Sequence, residues 1–277
     1  STSTNWIDSD GLSSEHKTFV TEIFSYLGNI TGINFSETGE YTKADIAFSN
    51  EVVDEAFALV KDFDGNGFID WSEIYISDSW SNDMFFDARN SYSGYVYQTI
   101  LHEILHAIGL DHLGPYNGTG DYSDAVFFTD SWQNSIMSYV LPSDNPNVDA
   151  TDAYIQTLMS VDFLAFDSLY GGQNYNEINF STENAFIGNT TYGFNTTLTY
   201  DDDPILSYLD DFGDSNYYCI VDGAGIDTLD CSGWSADQLI NLTITSSSDT
   251  APTTSNIAGL TGNLSLAANT VIENAVG

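Results

Sequence analysis

The chain has 277 residues, 42% hydrophobic and 14% aromatic, enough to fill one large core or two ordinary ones, which excludes a disordered chain. It carries 41 acidic residues against four basic ones (Lys17, Lys43, Lys61 and Arg89), a formal net charge of −37. Such a surface repels phosphate backbones and anionic lipid heads, excluding nucleic-acid and membrane-surface partners, and no run of about 18 apolar residues exists to cross a bilayer.

In chain order, Ser1-Thr2-Ser3-Thr4 lacks the basic and apolar regions of a signal peptide, so the sequence is expected to be a mature form. Residues 13–27 carry Phe19, Val20, Ile23, Phe24 and Leu27 at helical spacing, with Gly28 as the expected stop. Ile33–Ser36 and Ala44–Phe48 alternate as half-buried strands do. In residues 62–73, Asp62, Asp64, Asn66, Gly67, Asp70 and Glu73 fall at positions 1, 3, 5, 6, 9 and 12 of an EF-hand-type loop, and the Phe68 carbonyl takes position 7. That spacing wraps six or more oxygens round one calcium ion; a plain acidic turn is the alternative. Residues 74–77 (Ile74, Tyr75, Ile76, Ser77) read as a strand, not the exiting helix of a paired EF-hand, so the loop is expected to be structural.

Residues 102–112, His-Glu-Ile-Leu-His-Ala-Ile-Gly-Leu-Asp-His, carry the densest chemistry. His102 and His106, four apart, share one helix face and can hold one metal ion. Gly109 can take a positive φ without steric penalty, ending the helix and turning His112 back as a third nitrogen ligand. Three imidazoles leave the fourth position of a tetrahedral zinc open for water, and Glu103 stands ready to take a proton from that water. Val96, Ile100, Ile104, Ala107 and Ile108 form a separate apolar stripe. An isolated histidine pair is commonly decoration, but here three of the chain's four histidines fall in this stretch.

Residues 113–134 read as a long loop leading to Ser135-Ile136-Met137-Ser138-Tyr139. Residues 149–170 return to helical spacing through Ile155, Leu158, Met159, Phe163, Phe166 and Leu169, and Gly171-Gly172 marks a boundary. Beyond it, short β-prone runs rich in Asn, Thr, Ser, Asp and Gly predict a second, all-β domain. Asp222-Gly-Ala-Gly-Ile-Asp227 is equally a calcium turn and an ordinary hairpin turn. Cys219 and Cys231 would close a 13-residue loop. A disulfide there would contribute on the order of 3 kcal/mol and suit an extracellular setting; two free core cysteines are the alternative.

These residues resemble the serralysin-type secreted bacterial zinc metalloproteases of the metzincin clan. The likeness covers the zinc helix, Tyr116-Asn117, Ser135–Tyr139 and Leu169-Tyr170-Gly171. It continues through Tyr192–Asn195, Gly225–Gly233, Ile240–Leu242 and Ile272–Ala275, matches particular to that family. The resemblance implies zinc on His102, His106 and His112, Glu103 as general base, Met137 as a hydrophobic floor, and Tyr139 as a fifth zinc ligand that swings away to support the oxyanion. It further implies a substrate-pairing edge strand at Ile74–Ser77. A C-terminal calcium site would be built from Phe186, Gly188, Thr190, Asp222, Ala224 and Asp227, with Asn189 where the family usually has Asp. Three features depart from the family: no glycine-rich calcium repeats precede Gly277, a cysteine pair is present, and the EF-hand-like loop is unusual.

The expected fold is therefore an α+β metzincin-like catalytic domain over residues 1–172, with a twisted mixed sheet plus helices, then an all-β C-terminal domain over 173–277, a β-sandwich or truncated β-roll. The expected function is a secreted zinc endopeptidase, extracellular and bacterial, from a marine or saline source that the acidic charge would suit. Its cofactors would be one catalytic zinc and structural calcium. Its partners would be protein and peptide substrates and a proteinaceous inhibitor, the enzyme itself acting as a monomer. The alternatives are a calcium-stabilised extracellular binding or adhesion protein with structural zinc, and a hydrolase of peptidoglycan peptides.

Overall fold

The computed structural model describes residues 3–8, 11–52, 54–80, 94–171, 173–175, 178–180, 182–249 and 251–277. Arg89 and the expected boundary residue Gly172 lie outside the described residues. The N-terminal half is built on a five-stranded sheet of β1 (Ser3–Asp8), β2 (Asn34–Glu37), β3 (Ile46–Ser49), β4 (Ala56–Lys61) and β5 (Trp71–Ile76), in the order β2-β1-β3-β5-β4. β1 to β3 and β5 pair in parallel, while β4 runs antiparallel to β5 as the outer strand.

Helix α1 (Ser14–Thr31) starts where the Ser13 side chain accepts the His16 N–H at 3.1 Å and ends at Gly32, whose φ of 77° suits glycine. It runs a full turn past the expected stop at Gly28. Ile30 and Thr31 continue the buried face, and Gly28 is instead a packing residue, since a Cβ there would lie 3.1 Å from the Ile33 carbonyl. α1 and α2 (Tyr95–Ala107) bury Phe19, Val20, Ile23, Ile100 and Ile104 in one continuous core with Phe48, Ile74 and Ile76. Complete burial of a large aliphatic side chain contributes about 1.5–3 kcal/mol, so these rows fix α2 against the sheet.

The expected helix over 149–170 is half right. Only α3 (Ser160–Tyr170) is helical, and β6 (Tyr154–Ile155) precedes it. The Ile155 N–H donates to Gln98 Oε1, the Leu158 N–H to the Tyr26 hydroxyl, and β6 pairs with β10 (Asn216–Ile220). Those tertiary bonds overrule a periodicity that Ile155, Leu158 and Met159, all buried, satisfy outside any helix.

The C-terminal half carries short strands. A hairpin of β7 (Gln173–Tyr175) and β8 (Ile178–Phe180) leads to β9 (Thr191–Gly193), the short helix α4 (Leu209–Phe212), β10 and β11 (Thr228–Asp230). β12 (Thr254–Ser255), β13 (Leu264–Leu266) and β14 (Asn274–Val276) follow. They form a sheet β12-β13-β10-β6 and a sheet β14-β11-β9. Within these two sheets the described pairings are parallel except β12 with β13, unlike the antiparallel sheets of a sandwich. The core is continuous across both halves.

Cys219 and Cys231 are free and buried, so the expected disulfide does not form. Cys219 sits inside β10, whereas Cys231 follows β11 of the other sheet with its N–H bonded to Val276. Burial pushes both thiols up to about 12, as suits inert core cysteines.

Candidate metal centre

α2 places His102 and His106 one turn apart on one face. Gly109 turns the chain with a φ of 105°, its N–H bonded to the His106 carbonyl, and His112 returns beside them. Nε2 of His112 lies 3.2 Å from Nε2 of His102 and 3.0 Å from Nε2 of His106. The outer nitrogens are already used: His102 Nδ1 meets the Ile136 carbonyl at 2.9 Å and His106 Nδ1 the Leu110 carbonyl at 2.8 Å. Burial pulls His102 down to about 3 and also lowers His106 and His112, so all three rings are neutral. With Nδ1 protonated towards carbonyls, the Nε2 atoms of His102 and His106 face the cluster as acceptors without a proton between them. Tetrahedral zinc at 2.0–2.1 Å from each nitrogen requires nitrogens about 3.3 Å apart. The donor set fits a zinc ion.

Glu103 is buried beside these rings. Burial pushes its carboxyl up to about 7, with the Ala58 backbone N–H acting in the opposite direction. It opens on a cleft of about 700 Å³ whose lining includes Ala56, Phe57, Tyr95, Trp132 and Tyr139. The Tyr139 ring lies 4.6 Å from the ring of His112 and 5.8 Å from that of His102, and its hydroxyl accepts the Gly118 N–H at 3.4 Å. Met137 is buried immediately after Ile136, the residue that holds His102.

The residues assigned to the substrate edge need correction. β5 lies inside the sheet between β3 and β4, and Ile74, Ile76 and Ser77 are wholly buried, with Tyr75 stacked on Phe57. Among the described residues the free edge belongs to β4. The Glu55 carbonyl accepts the Ser77 N–H, which turns the odd residues of β4 inward and leaves the backbone groups of Ala56, Ala58 and Val60 facing away from the sheet. The 51–61 stretch carries no turn-bounded alternation strong enough to mark that strand.

The EF-hand-like loop is the tip of the β4–β5 hairpin. Asp62, Asp64 and Asp70 are exposed, with carboxylate oxygens close enough to share one ion. Asp62 takes the N–H groups of Gly65 and Gly67, and that of Gly67 chiefly holds its carboxyl below the usual range. Asn66 accepts the Phe68 N–H, and Phe68 itself is exposed. Glu73 does not join them: it sits in β5 and accepts the Tyr75 hydroxyl at 2.6 Å.

In the C-terminal half, Asp222 and Asp227 come together. Asp227 Oδ1 accepts the Thr190 N–H, while the buried Oδ2 has no partner among the described residues. Asp222 accepts the Tyr192 hydroxyl and the Ala224 N–H, and burial pushes it up to about 7. A Cβ on Gly225 would lie 2.4 Å from the Gly188 carbonyl, so the turn presses on the segment that contains Phe186 (φ 48°), Gly188 and Thr190. Asn189 caps the Ile226 N–H. Glu273, whose carboxylate takes the Asp227 N–H at 2.7 Å, is a further acidic neighbour that spacing alone had not joined to this turn.

Residues 178–277 match the family described as Peptidase M10 serralysin C terminal. The chain is 38% identical over 203 residues to Serralysin C of Dickeya chrysanthemi, covering 72% of this chain and 38% of that one. It is 30% identical over 258 residues to Serralysin of Photorhabdus sp. (strain Az29), covering 90% and 48%. With Metallopeptidase AprA of Pseudomonas marginalis, identity is 38% over 191 residues, covering 67% and 36%. This is a serralysin-type chain. It spans half or less of the length of these relatives. The second of these alignments takes in most of the chain, so the likeness to serralysins extends beyond the matched C-terminal region. Among the described residues no helix is long and apolar enough to cross a membrane.

Proposed function

We propose that the chain is a secreted zinc endopeptidase, with residues 1–172 carrying the cleavage site and 173–277 a calcium-holding scaffold packed against it. The observation that carries the reading is the convergence of three neutral imidazoles beside a buried glutamate in a cleft bordered by a free strand edge. When bound, zinc polarises the scissile carbonyl and acidifies the attacking water. His102, His106 and His112 hold it, with Ile136 and Leu110 orienting the first two rings. An extended peptide adds to the outward backbone groups of Ala56 and to the Ala58 carbonyl, the Ala58 N–H being turned to Glu103, which brings a scissile bond past Glu103. Glu103, raised towards neutrality by burial, takes the proton of the attacking water and passes it to the leaving amine. Tyr139, above His112, donates its hydroxyl to the developing oxyanion. Calcium belongs at the Asp222–Asp227 turn and at the Asp62–Asp70 loop.

The test compares wild type with Glu103→Gln at matched zinc, on casein. One zinc per chain in both, with cleavage reduced about a hundredfold or more in the variant, is expected. Zinc in both with cleavage in neither would turn the site into a structural one.

A further inference from the structure

We infer that Tyr116 and Asp130 are a positioning pair that holds the Tyr139 ring against the histidine cluster and confines the path of its hydroxyl. The inference rests on the peptidase reading above. Asp130 is fully buried. Its Oδ1 accepts the Ser138 hydroxyl at 2.6 Å, and its two oxygens share the Tyr116 hydroxyl at 3.1 and 3.0 Å. Charge-assisted bonds in a water-excluded site are the strong kind, so one carboxylate fixes two groups at once.

Both groups bear on Tyr139. Ser138 precedes it, and the Ser138 hydroxyl also accepts the Val140 N–H at 3.0 Å, so the backbone is held on either side of the ring. Trp132 closes the same turn, donating its ring N–H to the Ser138 carbonyl and its backbone N–H to that of Val140. Tyr116 stacks on Tyr139 with centroids 5.0 Å apart and planes at 21°, and its ring also stands 5.7 Å from that of His112.

Tyr116 cannot yield. A Cβ on Gly114 would lie 2.5 Å from its ring, and one on Gly120 2.6 Å from its Cβ, so the two glycines form a slot moulded to this side chain. Its hydroxyl is then tied down at the far end by Asp130. With one face blocked by that ring, Tyr139 cannot swing towards Tyr116, and its hydroxyl, now accepting the Gly118 N–H, has only the cleft side left to move through. The stack therefore selects a motion and does not merely fill space.

The experiment is a double-mutant cycle of Tyr116→Phe, which keeps the ring and deletes the bond to Asp130, with Tyr139→Phe. Tyr116→Phe is expected to lower kcat about tenfold with KM within about twofold and zinc content unchanged. In a Tyr139→Phe background the same change should lower kcat by less than about twofold, because coupled residues are not additive. A second readout needs no turnover: in copper(II)-loaded protein, any phenolate-to-copper absorption band should weaken or shift in Tyr116→Phe. Equal losses in both backgrounds, no loss at all, or a wild-type band unaltered by the substitution overturns the inference. A wild-type band without peptidase activity sinks the peptidase reading and leaves the band comparison to decide the pair. Absence of both overturns both.

Discussion

The Asp162 carboxylate, on α3, accepts the Ile136 N–H at 2.9 Å, and Ile136 in turn offers its carbonyl to His102. Asp162 also takes the Ser135 hydroxyl at 2.5 Å and the Met159 N–H at 2.8 Å. A single buried carboxylate thus holds the turn beneath the histidine cluster to the helix that follows. Burial raises its pKa from an ordinary 3.8 to about 6, outweighing those three donors. The folded state then holds the extra proton in that interval, so this group's stabilisation is full below 3.8 and is lost as the pH rises through about 6. The swing is on the order of 3 kcal/mol. In denaturant titrations, the stability of wild type minus that of Asp162→Asn should fall across this window. A difference that stays flat between pH 4 and 7 would remove the argument.

The free edge of β4 gives a second prediction. Proline at position 56 deletes an N–H that faces the cleft and leaves the β4–β5 ladder intact, because the inward-facing residues are Glu55, Phe57 and Leu59. Ala56→Pro should cut kcat/KM for peptides about tenfold or more, through KM, with the melting temperature within about 3 °C of wild type. Unchanged kinetics would place the substrate elsewhere.

Much of the site was legible because its parts are local. His102, Glu103, His106, Gly109 and His112 lie within eleven residues, and helix geometry plus one positive-φ glycine determines their convergence. What sequence missed is what depends on pairing between distant segments. The edge passed from β5 to β4 because only hydrogen bonds to Ser77 and Tyr75 reveal which strand lies outermost. Ile155 and Leu158 satisfied a helical period, yet bonds to Gln98 and Tyr26 hold them outside the helix. Cys219 and Cys231, near in sequence, are set apart, one inside β10 and the other just past β11 of the other sheet. Asp130 and Asp162 looked like two more acids in a chain of 41 acidic residues; their burial alone singles them out.

Calcium removal is the remaining test, and the two acidic sites should answer it differently. At the C-terminal turn, Asp227 Oδ2 is buried without a partner among the described residues and Asp222 is pushed up to about 7, a configuration that two adjoining carboxylates make unfavourable. A cation there offsets both charges and joins strands β9 and β11, which carry the segments on either side of it. The hairpin loop is exposed at Asp62, Asp64 and Asp70, so an ion there orders only the β4–β5 tip. Chelating calcium with zinc held constant should therefore lower the melting temperature by about 5 °C or more. Asp227→Asn should abolish most of that calcium-dependent shift. Asp64→Ala should leave most of it in place while lowering the bound calcium, measured by equilibrium dialysis, by one ion per chain. A melting temperature indifferent to chelation would count against the C-terminal site, and calcium stoichiometry unchanged in Asp64→Ala against the loop.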